Sequence, residues 1–145
     1  MRPARISVPG PQAEALVLDA SAAVEALLGS TTGLAVRHRL RGAQLHAPAH
    51  LDAEALSALG RMHRAGDLPA ETVTTQLTAL ATAPIARHPL ADLLSAAWQM
   101  RDQLRLVDAL YVALSERLDA QLLTTDARLA RRSGLAGSSL LVLDP

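Results

Sequence analysis

Four acidic residues occupy positions from which they could act together: Asp19, Glu54, Asp108 and Asp126. Asp19 follows a short apolar run, ALVL, and Asp126 follows another, QLLTT. Glu54 and Asp108 fall in the first turns of predicted helices. Amide donors are unpaired at a helix start and the dipole is positive there, which accounts for any one such acid by itself. The set is harder to explain that way. Carboxylates that converge raise one another's pKa unless a cation neutralises them. Mg²⁺ and Mn²⁺ take oxygen ligands and keep waters, which suits an all-carboxylate pocket. The chain has no Cys, so a thiolate zinc site is excluded.

The remaining chemistry-bearing residues have plainer readings. Asp52 is expected to serve the dipole or cap at a helix start, and Glu25, Asp67, Asp92, Asp102, Glu116 and Asp119 to face solvent. His38, His46, His50, His63 and His88 show no zinc-ligand spacing and are expected at surface or packing positions. Trp98, the one tryptophan, is expected in the core.

The elements that must position the acids follow from periodicity. Residues 15–18 read as a buried strand, and Ser21 is expected to cap a helix that Gly29 stops. A second helix follows over 31–40, then a strand over 44–47. Helices are predicted over 50–64 and 69–81, the second with Pro69 in its first turn. An extended piece lies within 84–90, and a helix is expected over 91–103. Residues 106–129 hold a helix, a turn and a buried strand, then the start of another helix. In the first of these, Leu106, Leu110, Ala113 and Leu114 form one apolar stripe. A last strand is expected over 139–143. Strands alternate with helices without hairpin turns, which predicts an α/β fold: a parallel sheet of four or five strands with helices on both faces. A carboxylate at a strand-to-helix exit then faces the crevice where such sheets bind ligands.

At 145 residues the chain is expected to form one domain over 14–145, after an irregular arm over 1–13 that carries three prolines. Half of it is hydrophobic and 1% aromatic, so the core must be Leu, Ala and Val. Every basic side chain apart from His is Arg, and the net charge is +0, so no global field draws the chain to nucleic acid or membrane. No apolar run is long enough to span a bilayer, and the basic start lacks the apolar segment of a signal peptide. The expected location is the cytoplasm.

Three stretches, LVLDASAAVEALL, APAHLDAEALSAL and LRLVDALYVALSERLDAQLLTTDARLA, resemble in content and order the PIN-domain ribonucleases, most nearly the VapC-type toxins of toxin–antitoxin pairs. The resemblance covers nearly the whole chain from residue 15 to residue 143. It implies a PIN-like parallel sheet and cleavage of single-stranded RNA with bound Mg²⁺ or Mn²⁺. On it, the family's four acids fall on Asp19, Glu54, Asp108 and Asp126. Asp19 and Asp108 are the first choices as metal ligands, with Asp126 the third. The family's small hydroxyl after the first acid falls on Ser21, and that beside the last on Thr124 or Thr125; Ser21 and Thr125 are the expected donors to carboxylate or phosphate. Val107 departs from the Tyr that often precedes the third acid in these toxins. The metal would polarise the scissile phosphate and acidify a water, with Glu54 or Asp126 orienting that water or holding a second ion.

RNA also needs a cationic approach. Arg101 and Arg105 precede Asp108, and Arg128, Arg131 and Arg132 follow Asp126; Arg101, Arg105 and Arg128 are the expected phosphate contacts. With so few aromatics, base stacking contributes little. The resemblance further implies a homodimer and a small antitoxin laid into an apolar groove, with the helices after Ser21 and around Glu54 as its expected walls. Two other classes stay in view. One is a binding or scaffold domain of the same fold whose acids are only helix caps. The other, an acidic-pocket phosphoacceptor or phosphohydrolase, would need a Lys that this chain lacks.

Overall fold

The computed structural model describes residues 12–134 and, for its backbone, 140–142. The expected arm therefore lies outside the described residues except for Gln12 and Ala13, as do the two ends of the last expected strand. Strand β1 (Ala15–Leu18) is the innermost of the sheet, and Leu16, Val17 and Leu18 are buried completely or nearly so. A strand covered on both faces reads as a continuous apolar run. β2 (Gln44–Pro48) pairs parallel on one side of β1, and β3 (Ile85–His88) lies beyond it. β4 (Gln121–Thr124) pairs parallel on the other side, with Leu18 opposite Leu123, and β5 (Leu140–Val142) lies beyond that. The order is β3-β2-β1-β4-β5, five strands and all parallel.

Helices α1 (Ala20–Leu28), α2 (Thr31–Leu40), α3 (Leu51–Arg64) and α4 (Ala70–Thr82) connect β1 to β2 to β3. Helices α5 (Leu94–Gln99), α6 (Leu106–Leu118) and α7 (Ala127–Arg132) connect β3 back across to β4 and onward to β5. Parallel crossovers are right-handed, so reversing the direction of travel across the sheet changes the face that the helices cover. The first four helices pack among themselves on one face, and α6 lies on β1, β2 and β4 from the other.

Local differences from the expected pattern have simple causes. Asp19, not Ser21, caps α1, because its carboxylate already reaches the Ala22 amide at 2.9 Å as the chain leaves β1. The helix expected over 91–103 is a 3₁₀ turn, Leu90–Asp92, then α5, which stops at Gln99. That short helix buries Ala97 and leaves Trp98 54% exposed, so the tryptophan is not a core residue. α6 is buried on every side from Ala109 to Ser115 rather than along one stripe, while Leu106 at its start is exposed. Burying each large apolar side chain of this helix stabilises the fold by roughly 1.5–3 kcal/mol. That is what fixes the helix carrying Asp108. Asp52 does more than serve a helix start: it holds Arg87 of β3 through paired hydrogen bonds of 2.9 Å.

Candidate active site

The connection from β1 leaves toward β2, and that from β4 leaves toward β5. Between two such strands, at their carboxyl ends, an open α/β sheet forms its binding crevice. Asp19 stands at the end of β1, its amide still donating to the Leu123 carbonyl of β4 at 3.2 Å. Asp126 stands two residues past β4 and caps α7, accepting from the amides of Arg128 at 2.9 Å and Leu129 at 3.4 Å. Glu54 comes in on the first turn of α3 and Asp108 on the first turn of α6. All four acids, with Ser21, Thr125 and Arg105, line one cleft of about 670 Å³.

Asp19 is 4% exposed, and its partners among the described residues are neutral donors. Its Oδ1 accepts from Ser21 Oγ at 2.7 Å and from the Ala22 amide, and its Oδ2 accepts from Thr124 Oγ1 at 2.5 Å. Burial pushes its pKa up to about 6, and the charge of Asp126 adds to the rise against these donors. Of the two threonines left open by the sequence, the one whose hydroxyl reaches the first acid is Thr124. Thr125 contributes its backbone amide instead, donating to Ser21 Oγ at 3.1 Å. The Asp126 amide in turn donates to Thr124 Oγ1 at 2.9 Å, which ties the first and last acids through one side chain.

Glu54 is held differently. Its Oε1 accepts from Tyr111 Oη at 2.6 Å and lies 3.2 Å from His50 Nε2, which also lies 2.9 Å from the Val107 carbonyl. Burial draws the Glu54 pKa upward, but His50 and Tyr111, with the charge of Arg105, outweigh it and leave the carboxyl below its ordinary range. Burial raises Asp108, and the neighbouring charges of Glu54 and Asp126 add to that, while Arg105 opposes them. Opposed shifts among neighbouring carboxyls mark sites built for chemistry more often than plain helix caps.

Among the described residues two arginines pair with the acids, and both pairs are loose. Arg105 Nε is 3.9 Å from Asp108 and Arg128 Nε is 3.7 Å from Asp126, with the arginine side chains 71% and 79% exposed. Such pairs are weak and easily exchanged for phosphate. Arg128 and Arg132 line a smaller hollow of about 120 Å³ that shares Arg105, Asp108 and Asp126 with the cleft. Arg101 is not brought to the cleft: its guanidinium lies over the Trp98 ring, 5.0 Å from the centroid.

The donor set, four carboxylates and hydroxyls with no thiolate, fits a hard divalent cation. The burial of Asp19 and the repulsion of Asp108 by Glu54 and Asp126 are what such a charge would relieve. As the side chains stand, no three acids or histidines among the described residues are close enough to ligate one ion together. Waters would have to complete its shell, as Mg²⁺ commonly requires. Sequence reasoning missed His50, Tyr111 and Arg61. His50 precedes Glu54 by four residues and Tyr111 follows Asp108 by three, so helical spacing from the acids was the signal that could have found the first two. Arg61 follows Glu54 by seven on the same helix and also lines the cleft.

Residues 16–135 match the family described as PIN domain, and the chain belongs to that family. Within it, the chain is of the VapC type. It is 54% identical over 119 residues to a Mycobacterium tuberculosis protein named Ribonuclease VapC3, covering 81% of this chain and 87% of that relative. To Ribonuclease VapC12 of the same organism it is 40% identical over 122 residues, covering 82% and 92%. Among solved structures, PAE2754 of Pyrobaculum aerophilum superposes with a TM-score of 0.63 at 21% identity, over 95% of this chain and 92% of that one. M. tuberculosis VapC20, described as a Sarcin-Ricin loop cleaving toxin, superposes with a TM-score of 0.62 at 17% identity, over 83% and 96%. These last two show a shared fold. No helix of the described residues is long and apolar enough to cross a membrane.

Proposed function

We propose that this chain is a metal-dependent endoribonuclease that cleaves single-stranded regions of RNA, and that it acts as the toxin of a type II toxin–antitoxin pair. The observation that carries the reading is the meeting of four acids from four separate elements in one cleft, one of them buried and held by neutral donors. The names of the relatives, Ribonuclease VapC3 and Ribonuclease VapC12, support the same substrate class.

Asp19, Asp108 and Asp126 would hold Mg²⁺ or Mn²⁺. When bound, such an ion supplies positive charge to a phosphate and acidifies a water. Ser21 and Thr124 fix the Asp19 carboxylate so that it meets its ligand without reorganising. Glu54, kept anionic by Tyr111 and His50, is placed to orient a water or accept its proton. Arg105 and Arg128 can release their weak pairs to take phosphate oxygens, for which a guanidinium fork is well shaped. A small cognate antitoxin, a homodimeric state and action in the cytoplasm complete the proposal.

A second reading has an observation of its own. Asp19 and Asp126 are both N-caps, a structural duty they would retain in a scaffold domain without catalysis. Purified protein mixed with single-stranded RNA separates the two. The nuclease reading expects cleavage with Mg²⁺ or Mn²⁺, none with chelator, and a loss of at least about 100-fold in Asp19→Asn and Asp108→Asn. It also expects Mg²⁺ to raise the melting temperature of the parent and not of Asp19→Asn. Unchanged cleavage in both variants, or no response of the parent to metal, would establish the scaffold instead.

A further inference from the structure

The cleft does not stop at the acids. Along α3 its lining runs Glu54, Ser57, Ala58 and Arg61, a stripe of one helix face, and along α1 it runs Ala20, Ser21, Val24 and Glu25. It is thus a groove between two helices with the carboxylates at one end. Seven residues of α3 separate Glu54 from Arg61, which at 1.5 Å per residue is about 10 Å.

Arg61 is exposed and its side chain forms no hydrogen bond or ion pair among the described residues, whereas the Glu25 carboxylate, across the groove, accepts from Ser30. On the far side of the acids stand Arg105, Arg128 and Arg132 around the smaller hollow. Arg61, opposite Glu25, is thus the cation on one side of the anionic centre, and Arg105, Arg128 and Arg132 are those on the other. A polyanion crossing the centre would meet positive charge before and after the point where the acids act.

We infer that the α1–α3 groove carries the RNA strand away from the acids and that Arg61 binds a backbone phosphate there. This rests on the ribonuclease reading for the identity of the centre, and it adds the direction of the strand and a positioning residue. Arg61 touches no reacting atom. Its contribution is affinity and register, independent of base identity.

The test measures binding of a short fluorescein-labelled unstructured RNA to full-length Asp19→Asn protein across a salt series, and cleavage by the parent. The expected result for Arg61→Ala is severalfold weaker binding, a salt slope smaller by about one, and a raised KM with kcat largely kept. Arg61→Lys should recover most of the binding, and Arg41→Ala, between α2 and the amino end of β2, should change nothing. An Arg61→Ala slope equal to that of Arg41→Ala would overturn the inference and leave the groove to a protein partner. If the parent cleaves RNA and Arg61→Ala is silent, this inference alone falls. If the parent does not cleave but Arg61→Ala still lowers the slope, the nuclease reading falls and the RNA path stands.

Discussion

Thr124 Oγ1 lies 2.5 Å from Asp19 Oδ2, although 105 residues separate the two in sequence. The contact exists because β1 and β4 are parallel neighbours whose last paired residues are Leu18 and Leu123. Each strand then delivers its next residue to the same point above the sheet. Thr124 is completely buried, so its hydroxyl has no water to fall back on. Replacing it by valine keeps the shape and leaves the carboxylate and the Asp126 amide short of a partner. The expected cost is about 1–3 kcal/mol in urea unfolding, against less than about 0.5 kcal/mol for Thr125→Val. Equal costs would contradict the assignment of roles to these two hydroxyls.

Asp19 sets a pH dependence whose sign is unusual for an acid. Its folded pKa is raised to about 6 from 3.8. Between those values the unfolded chain has lost this proton and the folded chain still holds it, so raising the pH removes stability. The penalty is complete above about pH 6 and amounts to roughly 3 kcal/mol at 1.36 kcal/mol per unit. In chelator, Asp19→Asn should therefore gain stability over the parent as the pH rises from 4 to 6, with no further gain at higher pH. His88 is also held below its usual range, by burial and by His46 beside it, and comparing variant with parent removes its contribution. A difference independent of pH would show that Asp19 is not strained in the folded chain.

Much of this geometry could be read from the residues and some could not. The run ALVL followed by Asp announces a buried strand with an acid at its exit, and Leu16, Val17 and Leu18 are buried as that demands. Which neighbouring hydroxyl serves the acid was beyond reach, because Thr124 and Thr125 differ only in the pleat that sends one inward. Both Asp19 and Ser21 are good capping types, and the exit angle of β1, a tertiary property, selects Asp19. Nothing between Met100 and Leu104 is Pro or Gly, so the end of α5 at Gln99 carries no local mark. Trp98 is apolar and looks like core, yet a two-turn helix has only one face to bury.

That exposed indole offers a quick check on the α5 surface. As the only tryptophan, Trp98 reports alone, beside Arg101 and 54% exposed. Its emission should lie toward the red and be quenched readily by iodide in the free protein. A blue, protected emission would mean that another surface covers it.

Tyr111 is 2% exposed, and its hydroxyl donates to Glu54. Burial first, and the Glu54 charge next, hold its own proton far more firmly than in a free phenol. Tyr111→Phe should cost roughly 1–3 kcal/mol, because the bond runs to a charged group. In a double-mutant cycle with Glu54→Gln the coupling should reach at least about 1 kcal/mol. Additive effects would mean that the two side chains do not sense each other.

Arg87 is bonded to more than its ion partner. Besides Asp52, it donates to the carbonyls of Leu80 at 2.7 Å, Ala83 at 3.3 Å and Ile85 at 3.2 Å, where α4 hands over to β3. Asp52 is 48% exposed and Arg87 only 23%. The two single variants should therefore differ: Arg87→Ala about 2–3 kcal/mol, Asp52→Ala within about 1 kcal/mol. Equal losses would show the ion pair, and not the carbonyl contacts, to be what holds this corner.

Strand register has an outcome of a different kind. A one-residue slip of β4 against β1 turns every side chain of the slipped strand to the opposite face. It would take the Thr124 hydroxyl from Asp19 and swing Asp126 away with it. Mispaired molecules would then be inert rather than merely slow. The activity of a preparation, divided by its protein, would count how many copies have zipped their two central strands correctly.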